Sequence, residues 1–162
     1  MILTRKHLAI AHNATLVEPG QNDFWCYQIL RCKGWHLAII CTYFHPTDIA
    51  LNTQTRLGIS RFLSGYRGAY AICGDFNIEP NEMCDLGWEV PAFAQYATPR
   101  DTKVTCKMGR GTLIDYAIVS HSVKHGMRTM TVPEVPIATH VAVRHIISCL
   151  LYTSDAADDR SC

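Results

Sequence analysis

The sequence has no surplus of either charge, no Cys-x-x-Cys pair, no long apolar run and no internal repeat. Charged residues are only 18% of the 162 residues and sum to +1 with histidine neutral. No strong field therefore advertises nucleic acid, which argues against tight non-specific binding but leaves a nucleic-acid substrate open. No apolar stretch is long enough to span a bilayer as a helix, so no membrane partner is expected. Met1-Ile2-Leu3-Thr4-Arg5-Lys6 lacks the apolar core and small-residue cleavage site of a secretory signal. Without a Cys-x-x-Cys, a zinc site lacks its usual spacing. Eight cysteines are nonetheless many for this length, and Cys41 and Cys73 lie inside apolar runs. Reduced, mostly buried thiols in an intracellular protein are the expectation. His121 and His125 stand four apart, but no Glu follows the first. They read as solvated surface rather than a metalloprotease pair.

What is present is enough apolar material, 48% of residues, for one real core. Residues 2–18 read as one or two short strands before a Pro19-Gly20 turn. Residues 25–30 and 36–43 are strand-like, and Lys33-Gly34 suits a hairpin between them. From Leu51 to Leu63, apolar Leu51, Leu57, Phe62 and Leu63 among polar residues predict an amphipathic helix. Ala69-Tyr70-Ala71-Ile72-Cys73 reads as a buried strand, and Pro80 as the first turn of a short helix with Glu79 and Glu82 at its positive end. Residues 87–103 read as irregular, broken by Pro91 and Pro99. Strands follow at 112–120, 127–132 and 141–147. Local pairing with one helical crossover predicts an α/β or α+β layered domain. From residue 149 onward the chain turns small and acidic and resembles the translation of a transposase adapter. Residues 148–162 are therefore taken as a non-native or disordered tail behind a domain at 1–147. Without residues 149–162, 14 cationic residues face 11 acidic ones, a net charge of +3.

Three polar sites interrupt this apolar pattern. Gly74-Asp75-Phe76-Asn77 closes a buried strand. If the chain stays extended, Asp75 and Asn77 share one side while Phe76 enters the core. Such a pair can hold a hard metal or orient water against a phosphate; an Asx turn leaving a strand is the alternative. Asp115 sits mid-strand in Thr112-Leu113-Ile114-Asp115-Tyr116-Ala117-Ile118-Val119, with Leu113, Ala117 and Val119 on its face. A carboxylate there needs a hydrogen-bonding or cationic partner. His140 opens the last apolar strand. With Asp115 it makes a candidate carboxylate–imidazole pair, although a structural ion pair is the competing account of Asp115.

In that order, Gly-Asp-Phe-Asn at 74–77, Ile-Asp-Tyr and a later Ser at 114–120, and His140 resemble the endonuclease/exonuclease/phosphatase superfamily. Its members include DNase I-like nucleases and inositol-polyphosphate phosphatases. The resemblance runs from about Met1 to Ile147. It implies a four-layer α/β sandwich with two mostly antiparallel sheets, and hydrolysis of a phosphoester, nucleic acid being one candidate, with Mg²⁺ or Mn²⁺. Carried over by position, Asp75 activates water, Asn77 holds phosphate or metal, Asp115 aligns His140, and His140 stabilises the transition state or moves a proton. The metal would sit on Asp75 and Asn77. Tyr43 occupies the place of a phosphate-contacting Tyr, and His45 is a neighbouring candidate that also reads as a plain loop histidine.

Two departures qualify the resemblance. Thr139 stands where the family usually has an Asp, and a hydroxyl is a poorer Mg²⁺ ligand. The family's first strand, with an Asn and a metal-binding Glu, has no counterpart here, since Glu18 precedes a Pro19-Gly20 turn. The expectation is an amino-terminally truncated family member, weak or inactive as it stands, with an unpaired sheet edge and poor solubility. A non-catalytic binding domain or decayed remnant of the same fold is one alternative. The endonuclease piece of a retroelement is another. Arg100, Lys103, Lys107 and Arg110 form either a contact region for an anionic substrate or a solvated loop. Substrate identity and oligomeric state are not written in the sequence.

Overall fold

A computed structural model of the chain describes residues 10–12, 24–32, 34–88, 94–135 and 137–148. Most of the expected strands at 2–18, and Glu18, Pro19, Lys33, Pro91 and the tail from 149, lie outside the described residues. The strand Ile10–His12 (β1) pairs antiparallel with Trp25–Cys32 (β2). β2 pairs antiparallel with Trp35–Tyr43 (β3), and Cys32 opposite Trp35 leaves two residues to turn. The second of these, Gly34, has φ +82, a conformation a side chain would resist.

The helix Ile49–Gly65 (α1) carries the chain over to Ala69–Asp75 (β4), which runs parallel to β3. A parallel pair requires such a crossover. Asp48 starts α1 by accepting the Leu51 N–H at 2.9 Å. The buried stripe is Thr55, Ile59 and Leu63, each four apart; of the expected Leu51, Leu57, Phe62 and Leu63, Leu63 is buried and Phe62 packs against the core, but Leu57 is 59% exposed. Thr55 can be buried because its hydroxyl donates to the Leu51 carbonyl at 3.0 Å. Pro80–Asp85 (α2) follows, with Glu79 and Glu82 closing a reciprocal capping box around Pro80.

Gln95–Ala97 (β5), inside the stretch expected to be irregular, is an edge strand paired with Asp115–Val119 (β6). Three residues carry no legible period; pairing to β6 makes them a strand. β6 itself starts later than the 112–120 pattern, because Thr112 bridges to Cys106 and the Ile114 N–H goes to Thr105 Oγ1. His121–Lys124 (α3), Met127–Val132 (β7) and Ala142–Ile147 (β8) complete the described elements.

The strands form two sheets, one in the order β1-β2-β3-β4-β6-β5 and one of β7 paired antiparallel with β8. Alternation along β6 divides the core as expected. Tyr116 and Ile118 join Ile40, Ile72, Ile59 and Met83 under α1 and α2. Ala117 and Val119 face the other way, with Leu37, Ala71, Met127 and Ile147. The six-stranded sheet is thus sandwiched between helices and the second sheet, a layered α/β architecture with mostly antiparallel pairing.

Candidate active site

Asp75 is the last residue of β4 and stands directly opposite Asp115, the first residue of β6. On its other side it is level with Tyr43, the last residue of β3. Two carboxylates facing across an antiparallel pair repel, and His140 relieves them. Its Nδ1 lies 2.9 Å from Asp115 Oδ2 and its Nε2 4.0 Å from Asp75 Oδ2. All three side chains keep about a fifth of their surface open, at 20–23%. The site is at the sheet edge, not in the core.

Local backbone chemistry holds each group. Past Asp75 the chain does not stay extended. Asn77 has φ 49, and its N–H donates to Asp75 Oδ1 at 3.0 Å. The Asx turn is therefore what leaves the strand, and Asn is one of the few residues that tolerate this left-handed backbone. The Asn77 amide Nδ2 donates to the Phe44 carbonyl at 2.7 Å, leaving Oδ1 as its remaining acceptor. Phe76 is driven inward, stacked on Tyr116 at 4.4 Å and edge-on to Phe44 at 5.4 Å. Gly74 is required by close approach, since a Cβ there would lie 2.1 Å from the Thr42 carbonyl oxygen.

Thr105 went unnoticed in the sequence, yet it ties the other two residues together. Fully buried, its Oγ1 accepts the N–H groups of Ile114 at 3.0 Å and Asp115 at 2.9 Å. Its carbonyl accepts the Val141 N–H at 2.7 Å, and neighbouring Cys106 bridges to His140. One loop residue so fixes the separation of Asp115 and His140. No local signal marks it, because a Thr in a polar loop is ordinary.

Burial holds the Asp75 carboxyl above its ordinary 3.8. The Asn77 N–H pulls against that rise, the Asp115 charge adds to it, and His140 opposes it. With Nδ1–H given to Asp115, the imidazole keeps Nε2 on the Asp75 side. Donor atoms of Asp75, Asp115 and His140 lie within 4.8 Å of one another, the one such group among the described residues able to hold a metal ion. The two carboxylates of this group suit a hard cation, which completes its shell with water, amide or phosphate oxygens; the imidazole, engaged with Asp115, does not.

Tyr43 is 40% exposed at the same edge. His45 lies in the loop before α1, where its Nδ1 accepts the Thr47 and Asp48 N–H groups at 3.2 and 3.0 Å. Ser120, at the far end of β6, accepts the Tyr70 N–H at 3.1 Å and is not at this edge. The Thr139 carbonyl accepts the Lys107 N–H at 2.8 Å, and Thr139 is exposed.

No protein-family model matches the sequence, and no curated protein matches it. Solved structures share its shape. The endonuclease domain of TRAS1, a telomere-specific non-LTR retrotransposon, is 12% identical with a TM-score of 0.62, matching 78% of this chain and 62% of that one. Truncated Caenorhabditis elegans TDP2 is 14% identical with a TM-score of 0.59, over 88% of this chain and 68% of that one. The catalytic domain of human Nocturnin, with a bound sulfate anion, is 20% identical with a TM-score of 0.51, over 76% and 53%. At such identities the likeness establishes the fold, which is DNase I-like. The chain spans about 62% of the TRAS1 domain's length and about 53% of Nocturnin's.

Proposed function

We propose that this chain, built on the endonuclease/exonuclease/phosphatase fold, carries the catalytic edge of a divalent-metal-dependent phosphoester hydrolase. The supporting observation is the convergence of Asp75, Asp115 and His140, from three separate segments, within 4.8 Å. A structural domain gains nothing by setting two acids face to face and half-burying one above its ordinary pKa. A hydrolase does. In this reading Asp75 takes a proton from an attacking water. Asp115 fixes the His140 tautomer and stabilises its imidazolium form, so that Nε2–H can meet charge developing on phosphate oxygens.

The carboxylate of Asp75 and Oδ1 of Asn77 are the groups that would hold Mg²⁺ or Mn²⁺. A bound ion there would neutralise phosphate charge and lower the pKa of water. In this reading Tyr43, beside Asp75, touches the substrate; His45 contributes less, because Nδ1 is already engaged in its own loop. A retroelement endonuclease is a more specific alternative reading, the TRAS1 domain being one protein of this fold. A reverse-transcriptase region in the same transcript would support it.

Hydrolysis of bis(p-nitrophenyl) phosphate, DNA and RNA with Mg²⁺ or Mn²⁺ tests the assignment against His140→Ala. A fall of roughly 100-fold or more is expected in the variant. Equal rates would remove His140 from the mechanism. Absence of turnover by the wild type on every substrate would make this a binding domain with a hydrolase fold.

A further inference from the structure

The catalytic trio is the centre of a longer row. The Tyr43 N–H donates to the Phe24 carbonyl at 2.9 Å, Tyr43 is level with Asp75, and Asp75 with Asp115. Four residues on four neighbouring chain segments therefore line one sheet edge, over about 14 Å at ordinary strand spacing. At one end the Phe24 and Tyr43 rings stack at 6.1 Å and 26°, with Tyr43 40% exposed. At the other end, beyond Asp115, a groove of 790 Å³ runs between the start of α2 and residues 98–103.

The charges in that groove balance formally, two acids against two cations, but they are not equally engaged. Its two acids are occupied by backbone and hydroxyl donors. Asp101 accepts the Thr131 N–H and hydroxyl, and Glu79 Oε1 accepts the Leu113 N–H at 3.3 Å. Its two cations, Arg100 and Lys103, are exposed and have no ion pair among the described residues. Leu113, two residues from Asp115, is part of the groove's lining. An aromatic platform on one side of a hydrolytic centre, and unpaired cations on the other, suit a ligand carrying both flat rings and repeated negative charge.

We propose that this edge is a track for one unpaired polynucleotide strand, with a base stacked on the Phe24–Tyr43 platform and phosphates beyond the scissile one in the Arg100–Lys103 groove. A duplex hides the faces of its bases, whereas an unpaired strand offers them to aromatic rings. The two cations supply the sequence-independent attraction to phosphate. The track names the substrate class of the hydrolase reading and rests on it for the position of the scissile group. Binding is measured without turnover, so the two can fail separately.

The full chain in EDTA is titrated against a fluorescent single-stranded DNA of ~12 nucleotides, within the span one such module covers. An abasic oligomer of equal length and the matching duplex serve as comparisons. The wild type should prefer the base-bearing single strand to both. Phe24→Ala should weaken that binding roughly 5-fold to 100-fold and abolish the preference over the abasic chain. Phe24→Tyr, which keeps the stack, should restore both. Arg100→Gln with Lys103→Gln should reduce the slope of log affinity against log salt by about 1.4. Arg61→Gln, on the exposed side of α1, should leave the slope alone. Equal affinity for abasic and base-bearing strands, tighter binding of duplex, or an unaltered slope in the double variant would each overturn the track, whatever the diester assay shows.

Discussion

Replacing His145 by Gln should remove an acid-sensitive component of stability whose size the structure sets. His145 lies on β8 opposite Thr129 of β7, facing the six-stranded sheet, with Nδ1 3.0 Å from Thr129 Oγ1. Burial lowers its pKa from 6.5 to about 4. The folded state therefore resists the proton that the unfolded chain accepts. Stability from this group is complete above about pH 6.5 and is lost as pH falls towards about 4. The full shift corresponds to about 3 kcal/mol, and about 2 kcal/mol should already be gone at pH 5. Urea denaturation at pH 8, 6, 5 and 4.5 for wild type and His145→Gln measures it, if the denaturant slope is unchanged. Carboxylates also titrate at the acid end, so the quantity of interest is the difference between the two proteins. The variant's profile should be flatter by about 2 kcal/mol between pH 8 and 5. Parallel profiles, agreeing within about 0.5 kcal/mol, would show that His145 is not kept neutral by burial.

Other perturbations probe the edge itself. Asp75 is held above 3.8, so its ionisation opposes folding as pH rises past that value. At neutral pH, Asp75→Asn should melt higher than wild type in EDTA and, with Mg²⁺ or Mn²⁺ present, lose diester hydrolysis; a lower melting temperature would contradict the burial argument. Thr105→Val leaves the Ile114 and Asp115 N–H groups without their acceptor and should cost about 2–4 kcal/mol in urea. Thr105→Ser should recover most of it, and a Val variant as stable as wild type would mean those donors find other partners. Gly74→Ala drives a Cβ onto the Thr42 carbonyl and should cost about 1–3 kcal/mol, with activity falling as Asp75 is displaced. A neutral result in both would show that β3 and β4 can part at this point.

The polar residues Asp75, Asn77, Asp115 and His140 stood out because each sits in or beside an apolar run, although an Asx turn accounts locally for Asp75 and Asn77. So did the β2–β3 hairpin, the two faces of β6, and the capped start of α2, all consequences of period or of turn and cap chemistry. Other features were not visible. Leu57 looked like a core position of α1, but the core took Thr55, whose hydroxyl is satisfied within its own helix. β5 exists only through its partner. Asn77 leaves the strand by a turn rather than continuing it, because its N–H finds the Asp75 carboxylate first.

A row of acids and one imidazole can be read from a chain, since the expense of a polar group among apolar neighbours is local. Their distances cannot. That Asp75 meets Asp115 and not some other residue follows from the register between β4 and β6. That His140 reaches both depends on Thr105, which hydrogen-bonds two distant stretches of backbone at once. Register and long-range backbone bonding arise only when segments far apart in the chain are brought together, and no single segment carries that information.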